Sequence, residues 1–380
     1  MGWFERVASN PLSVGVIVGV FALACDGSGG ENDDGGGSGD DLVANYAFIS
    51  PVPVSGDLGG LAGADALCNG WAEDAGIGGD YRALLSTDSV DVRDRLAAAR
   101  GWIDVARRPV ADGIDRLFDR SGGGPLLPVR LDPDGNDLLH VGVWSGSNDL
   151  GIYDPNGGST ACENWTSEES TSTARYGFSD VTNGWLDRSG PDGCDNQFHL
   201  YCFQVDHSEP LDVGDFAVSG RRMFVSSGNF DTSTGIAGAD ALCAADVAST
   251  PELSGATVKA FLADIGTIVT ARLASNSKAI VRLDGLIVAE SIADLATDGG
   301  IIHPPSLRVN GFEFNGRAFV GATTLADIGT VGTTCDGWTD NATGNGYTYY
   351  PRATLFIGAR SWFDRFVACS SALPVYCLEE

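Results

Sequence analysis

Eight cysteines of this 380-residue chain fall into two sets with nearly the same spacing, and this pattern is the most direct indication of chemistry. The first set steps by 94, 32 and 8 residues, and the second by 92, 34 and 8. The sets are Cys68, Cys162, Cys194 and Cys202, then Cys243, Cys335, Cys369 and Cys377. In an exported chain they predict disulfides, and the sequence alone allows three pairings within each set. Fully bridged cysteines would leave no thiol nucleophile.

The ninth cysteine, Cys25, follows a segment that is typical of an export signal. A short head precedes the apolar run PLSVGVIVGVFALA, which is too short to span a bilayer stably and ends in small residues. We therefore expect residues 1–24 to be a signal peptide. The sequence ALAC resembles the lipobox of bacterial lipoproteins, which implies lipidation of Cys25, although Ala22 and Ala24 also suit an ordinary signal peptidase. Residues 25–41 then predict a flexible, acidic, Gly/Asp-rich tether behind the lipidated cysteine.

A nine-residue phrase occurs twice and ends on a cysteine both times. GLAGADALC occupies residues 60–68, and GIAGADALC occupies residues 235–243. Together with the matching cysteine spacings, the phrase indicates a tandem duplication. We place the first domain at 42–205 and the second at 221–380, with the polar segment 206–220 between them as a linker.

The elements that must position these cysteines follow from local patterns. YAFIS and RMFVSS predict short strands, and the repeated phrase predicts a helix because its apolar residues recur at helical spacing. A second helix is expected over SVDVRDRLAAAR, starting at Asp88 or Ser89, and a short third one at GIDRLFDR. Asp65 and Asp240 are expected in the first turn of their helices, where a carboxylate favours unpaired amides. Strand-like and loop-rich sequence fills the rest, so the class is α+β with an irregular antiparallel sheet.

Composition argues against several kinds of function. The formal net charge is −28, and only two of the 23 basic residues are lysines, so we expect no nucleic-acid partner. The four histidines have no metal-binding spacing such as HExxH; they are His140, His199, His207 and His303. The chain has no GxSxG nucleophile elbow and no phosphate-cradling glycine loop. We therefore expect a protein that is not an enzyme.

The motifs in combination resemble a known family. GADALC, DYRALLS, the stretch from VWSG to CENWTS, and CDNQFHLYCF are similar to the endostatin domain of collagens. They are similar as well to a bacterial lipoprotein family of unknown function with the same C-type-lectin-like fold. The resemblance implies two tandem C-type-lectin-like domains, each with two to three helices on its sheet. It also implies nested disulfides, Cys68 to Cys202 and Cys162 to Cys194, then Cys243 to Cys377 and Cys335 to Cys369.

The same resemblance raises calcium as a possible cofactor. Sugar-binding C-type lectins hold Ca²⁺ with a Glu-Pro-Asn-like triplet and a later Trp-Asn-Asp. The first domain has DPN and WLD instead, which makes Asp154, Asn156 and Asp187 candidate ligands. Both motifs depart from the pattern, and a turn at DPN is the favoured interpretation. DPDGND, residues 132–137, starts like an EF-hand loop but lacks its later Gly and Glu, so we expect a hairpin turn there.

These features predict a non-enzymatic lipoprotein of the bacterial cell envelope, at the outer membrane or cell surface. Its lipid would hold it to the membrane, and its long loops would bind an extracellular protein or glycan. Two alternatives stay open at this point. One is an enzyme site grafted on the same fold, of the formylglycine-generating or hydrolase type, which would need free cysteines. The other is a structural surface spacer.

Overall fold

The computed structural model describes residues 42–96, 98–118, 124–188, 190–297, 300–342, 344–349 and 365–380. The predicted signal peptide, Cys25 and the tether lie outside the described residues. Residues Val43–Glu380 form one compact unit. In the described part of the chain, no helix has both the length and the apolar character that a membrane span requires.

We call residues 42–205 the first half and residues 221–380 the second half. The first half begins with a strand that leads into the helix of the repeated phrase. Its strands are β1 (Asn45–Ile49), β2 (Tyr81–Ala83), β3 (Trp102–Asp104), β4 (Pro109–Ala111), β5 (Gly142–Trp144), β6 (Thr173–Phe178), β7 (Pro191–Gly193) and β8 (His199–Gln204). Its helices are α1 (Gly60–Asp74), α2 (Val92–Arg95), α3 (Ile114–Phe118) and α4 (Ala161–Trp165).

The second half follows the same order of strands around fewer helices. Its strands are β9 (Arg221–Val225), β10 (Val258–Ala260), β11 (Ile280–Val281), β12 (Ile287–Ala289), β13 (Ala318–Phe319), β14 (Asn345–Tyr349), β15 (Arg365–Ala368) and β16 (Tyr376–Glu379). Its helices are α5 (Gly235–Ser249) and α6 (Cys335–Trp338). Short 3₁₀ turns connect several of these elements, one of them at Val213–Phe216 in the segment between the halves.

The sheets are mixed, which corrects the prediction of an antiparallel sheet. In the first half the strand order is β4-β3-β1-β8-β5-β6-β7, with β2 also paired to β8. The β1·β3 and β5·β8 pairs are parallel, and the second half repeats this with the parallel pair β9·β11. Its remaining strands form the orders β10-β16-β9-β11-β12 and β13-β14-β15. A parallel pair needs a long crossover, and the segment that contains α1, β2 and α2 provides one between β1 and β3.

Two nested disulfides close each half. Cys68 bonds Cys202 and Cys243 bonds Cys377, each across 134 residues of sequence. Cys162 bonds Cys194 and Cys335 bonds Cys369, across 32 and 34 residues. These are the pairs that the endostatin resemblance implies. The outer bond in each half fixes the helix of the repeated phrase to the last strand, so the phrase ends on a cysteine for the same structural reason twice.

Asp65 and Asp240 lie deeper in their helices than the sequence predicted. Each is the sixth residue of its helix, because α1 starts at Gly60 and α5 starts at Gly235, so neither reaches the first turn. The Asp65 carboxylate instead accepts hydrogen bonds from the Ala83 N–H at 2.9 Å and from Arg95 at 2.6 Å. These carboxylates therefore tie the helix to the following strand, a role that local helix patterns do not reveal.

The helix predicted over SVDVRDRLAAAR is short. α2 covers Val92–Arg95, with Asp91 rather than Asp88 or Ser89 at its amino-terminal cap. The backbone turns at Leu96, and the Arg95 side chain reaches back to the carbonyl of Ala83 at 2.5 Å. The helix thus ends at Arg95, where hydrogen bonds to distant residues outweigh the helix propensity of the following sequence.

One buried apolar cluster contains residues of both halves. Val110 and Leu117 of the first half belong to it together with Val288 and Leu295 of the second, which hold the same places relative to their hairpins. A separate cluster in each half surrounds the disulfides and the helix of the repeated phrase. The two halves therefore share one hydrophobic core, and each also has its own cluster around its disulfides.

Candidate binding surfaces

A left-handed helical turn carries the second cysteine of each half. In α4 the five residues Ala161–Trp165 have φ between 47° and 67°, and none of them is glycine. In α6 the φ angles of Cys335, Asp336, Gly337 and Trp338 lie between 51° and 67°. This conformation costs roughly 1–2 kcal/mol per non-glycine residue, and such strain is concentrated at functional sites in proteins.

Covalent and hydrogen bonds hold the strained turn in both halves. The inner disulfide anchors its start, and the buried tryptophan at its end donates its indole N–H to a buried carbonyl. Trp165 donates to the Ser86 oxygen and Trp338 to the Ala263 oxygen, each at 2.8 Å. The loops on either side therefore project from a rigid base.

The three calcium candidates of the first half meet beside this turn, around an arginine. Arg175 donates to Asp154 at 2.9 Å, to Asp187 at 2.9 Å and to the backbone oxygen of Asn156 at 2.9 Å. Asn156 also donates its backbone N–H to Asp154 at 2.9 Å, which closes the expected turn. The guanidinium supplies the positive charge that these oxygens need. Calcium binding here stays a prediction, and the ion would have to displace Arg175.

No group of three or more His, Cys, Asp or Glu side chains able to hold a metal occurs among the residues that the structure describes. DPDGND forms a turn in which the Asp132 carboxylate accepts from the N–H groups of Asp134 and Asn136, at 3.0 and 2.8 Å. Leu131 and Asp137 pair across it, as expected for a hairpin turn.

The histidines are used as structural groups. His140 stacks on Phe178 and contacts Asp180 at 3.1 Å, and His207 donates its backbone N–H to Asn45. Burial lowers the pKa of His199, which contacts the carbonyl of Ser50 at 2.6 Å. Burial also lowers the pKa of His303 to about 3, and the charge of nearby Arg282 adds to this effect. Both buried rings are therefore neutral at physiological pH.

The second half carries an exposed apolar patch beside its strained turn. We call Ile265, Ile328 and Val331 the loop-end patch; their side chains are 46%, 54% and 59% exposed. Ile265 pairs with Gly329 across the patch, and the N–H of Asp336 in α6 donates to the Val331 carbonyl at 3.1 Å. Exposed aliphatic side chains on neighbouring loops are of the kind found at interaction surfaces.

Three carboxylates border the loop-end patch. Asp264 and Asp327 directly precede Ile265 and Ile328, and Asp336 is exposed on the strained turn. Among the residues that the structure describes, no arginine or lysine forms an ion pair with these three carboxylates. The patch is therefore apolar with an uncompensated acidic border.

Reasoning on the sequence missed the loop-end patch, although the repeat contains its signal. Counted from the second cysteine, Ile328 and Val331 occupy the places of Pro155 and Gly158. Counted from the matched strands β2 and β10, Ile265 occupies the place of Asp88. Three apolar residues thus replace non-aliphatic ones at matched loop positions. A comparison of the two halves position by position would have found the patch.

The comparisons with known proteins agree with this fold in outline. Part of the chain, 161 residues or 40% of it, is 29% identical to the human collagen alpha-1(XVIII) chain. The match covers 9% of that human protein. No protein-family model matches the chain. The similarity and the four disulfides are consistent with an endostatin-like fold, and the disulfides indicate an exported protein.

Proposed function

We propose that this chain is a non-enzymatic lipoprotein of the bacterial cell surface that captures an extracellular protein through the loop-end patch. A lipid on Cys25 would anchor it, and residues 25–41 would hold the folded unit away from the membrane. The observation that carries the proposal is a solvent-exposed aliphatic surface beside a disulfide-anchored strained turn, bordered by carboxylates that form no ion pair with a described arginine or lysine.

Several findings support binding rather than catalysis. All eight cysteines after Cys25 are in disulfides, so none of the cysteines that the structure describes is a thiol nucleophile. The buried histidines have lowered pKa values because of their burial, and they contact backbone carbonyls. The strained turns carry cysteine and tryptophan into the core and leave the surface chemistry to the loops.

The chemistry of the patch defines the partner. Aliphatic side chains gain most by covering other apolar side chains, whereas a sugar needs hydrogen-bonding groups or a metal at the same place. The border carries negative charge only, and the whole chain has a net charge of −28, so lysine or arginine beside the apolar anchor would be attracted. The partner is therefore a protein segment with aliphatic residues flanked by basic ones.

Synthetic peptides test this chemistry on the full-length, oxidised protein. A fluorescent peptide of leucines flanked by lysines should bind, and the same leucines flanked by glutamates should bind at least ten-fold more weakly. Fluorescence anisotropy at low and high salt measures both, and salt should weaken only the lysine peptide. The double variant Ile265→Asn, Val331→Asn removes apolar surface without changing charge, so it should weaken the lysine peptide by about ten-fold or more.

A matched pair of exposed valines provides the control. Val52 and Val90 of the first half are 50% and 38% exposed, so Val52→Asn, Val90→Asn changes a comparable surface away from the patch and should leave binding intact. Equal binding of both peptides, or equal loss in both double variants, would remove the patch from the function. Sugar binding that a chelator abolishes and Asp154→Ala eliminates would assign the function to the first half instead. Failure to bind any probe would favour a structural spacer.

The anchor is tested separately. Cys25→Ser should release the protein from the membrane fraction into the soluble fraction, while its peptide binding stays unchanged. Fractionation of cells that express either form measures the outcome, and metabolic labelling with a fatty-acid analogue should mark only the wild-type chain. Release of the wild type to the same extent as the variant would show an ordinary cleaved signal peptide.

A further inference from the structure

A second candidate site is formed by residues other than those of the loop-end patch, where the two halves and the segment between them meet. It is a cleft of about 610 Å³, within the usual size range of small-molecule sites. Its apolar walls come from all three parts of the chain: Leu126, Val213, Leu253, Leu283, Leu307 and Val309. Leu126, Leu253 and Leu307 are buried, while the other three are half-buried. The walls therefore suit an apolar body.

A neutral ionic cluster lies at the same cleft and joins the halves. Arg116 of the first half and Arg282 of the second both donate to Glu313, each at 3.1 Å. Arg282 also pairs with Asp284 at 2.8 Å, and Ser306 donates to the other oxygen of Glu313. Two guanidinium groups are thus matched by two carboxylates. An anion that entered the cleft would find both of these cations already neutralised.

Among the remaining charged residues that line the cleft, all but one carboxylate are in ion pairs. Arg222 is held by Glu379 through contacts of 2.9 and 3.0 Å, and Asp112 pairs with Arg100. Glu252 is exposed at the cleft, and only its backbone oxygen accepts a bond, from Arg222. Within the part of the chain that the structure describes, the Glu252 carboxylate has no hydrogen bond or ion pair. The charge left unmatched at the cleft is therefore a single negative one.

From this charge pattern we propose that the cleft binds a small amphipathic organic cation. Its apolar body would lie against the leucine and valine walls, and its ammonium group would face Glu252. This inference goes beyond the capture of a protein partner, because the cleft and the loop-end patch are formed by different residues.

Three probes with one body and different head groups test the charge preference. The probes are n-octylammonium, n-octanol and n-octanoate, titrated into the full-length protein by calorimetry. We expect saturable binding in the order ammonium, alcohol, carboxylate. Glu252→Gln should reduce the ammonium affinity about two- to five-fold, to the level of the alcohol, since the lost ion pair is solvent-exposed. The alcohol affinity should not change in this variant.

A second variant tests the location of the site. Val213→Trp places a large ring at the half-buried wall that the connecting segment provides, and it should weaken all three probes at least ten-fold. Val52→Trp is the matched control on an exposed valine of the first half, and should change none of the affinities. Capture of the lysine peptide should survive in both variants if they are folded. Octanoate binding as tight as octylammonium binding, or octylammonium binding that Val213→Trp leaves unchanged, would overturn the proposal.

Discussion

The loop ends of the two halves are built on the same strained turn, yet they present opposite surfaces. In the first half Arg175 binds Asp154 and Asp187, so the charges there are satisfied within the protein. In the second half the matched surface exposes Ile265 and Ile328 beside carboxylates that have no basic partner among the described residues. The first surface is neutralised by its own ion pairs, whereas the second exposes aliphatic and acidic side chains.

The frame beneath these surfaces hardly differs. Trp165 and Trp338 make the same 2.8 Å indole bond, and each packs against an aromatic ring of the neighbouring strand, Trp144 at 6.0 Å and Phe319 at 5.7 Å. The two halves therefore share the groups that fix the turn and differ in the residues exposed around it. A difference in function between the halves would therefore come from their exposed surfaces, because the groups that hold the strained turn are the same in both.

The largest expected effects concern the outer disulfides, and they should be equal in the two halves. Each closes the same 134-residue span, so the paired change Cys68→Ala, Cys202→Ala should destabilise the protein by about 5 kcal/mol. Cys243→Ala, Cys377→Ala should cost the same. Denaturant unfolding of the oxidised proteins measures both. A second-half pair that costs less than about half of the first would break the equivalence of the two frames.

Stability should depend on pH at one buried position where the two halves have different residues. Four residues before the matched hairpins that Leu131 and Leu307 begin, the first half has Leu127 and the second has His303. Burial and the charge of Arg282 lower the pKa of His303 from 6.5 to about 3. Below about pH 6.5 this histidine is protonated in the unfolded chain but stays neutral in the folded protein. Its contribution to the free energy of unfolding is therefore fully present above this pH and is lost as the pH falls towards 3.

The expected loss from His303 between pH 7 and pH 5 is up to about 2 kcal/mol. His303→Leu, which copies the first half, should flatten the stability profile over this window, and denaturant midpoints at each pH measure it. Because burial also lowers the pKa of His199, some slope should remain in the variant. An unchanged profile in His303→Leu would mean that this ring takes up a proton as readily in the folded protein as in the unfolded chain.

More of the fold than of the candidate sites could be predicted from the sequence. Cysteine spacing and the repeated phrase predicted a tandem duplication, which stays a prediction, and the family resemblance implied the sulfur pairs that the structure contains. Local patterns also placed α1 and α5, because burial on one face leaves a periodic signal. The parallel strand pairs were missed, since strand direction depends on crossovers and leaves no mark in the alternation of a short strand.

The surface chemistry was harder to predict because it arises from residues that are distant in sequence. DPN and WLD suggested a calcium site, but Arg175 comes from a strand between them and lies among their oxygens. In the same way, Ile265 and Val331 each look unremarkable alone and form a patch only when the fold brings their loops together. The cleft depends on Arg116 and Glu313, which belong to different halves.

A smaller effect is expected where a helix carboxylate ties down the next strand. Asp65 binds Arg95 through both oxygens at 2.6 Å, and these side chains are 18% and 9% exposed. The matched pair, Asp240 and Arg272, makes one 2.8 Å contact and is 32% and 16% exposed. Asp65→Asn should therefore cost about 2 kcal/mol and Asp240→Asn about 1 kcal/mol, because the more buried pair is less screened by water. Denaturant unfolding measures both.

The exposed Glu73 on α1 is the control for these carboxylates, and Glu73→Gln should change stability by less than about 0.5 kcal/mol. Equal losses at Asp65 and Asp240 would show that exposure does not set the strength of this contact. A larger loss at Asp240 would reverse the ranking of the two halves.

The smallest effect lies in the strained turn itself, where Asn164 and Gly337 hold matched positions with φ of 59° and 67°. Asn164→Gly relieves left-handed strain but loses the 3.0 Å bond from the Asp88 N–H to the side chain, so the net change should lie within about 0.5 kcal/mol. Gly337→Asn adds a Cβ that meets the Ile265 Cδ1 at 3.2 Å, so it should cost about 1 kcal/mol.

Gly337→Asn also tests whether the strained turn holds the loop-end patch in the shape that binds the peptide. Because the new Cβ presses on Ile265, the variant should bind the lysine peptide several-fold more weakly even where it is fully folded, whereas Asn164→Gly should bind it as the wild type does. Anisotropy titrations at a temperature well below unfolding separate this effect from stability. If Gly337→Asn lost stability but bound the peptide normally, Ile265 would be able to move aside, and the rigid turn would not be what holds the loop-end patch in place.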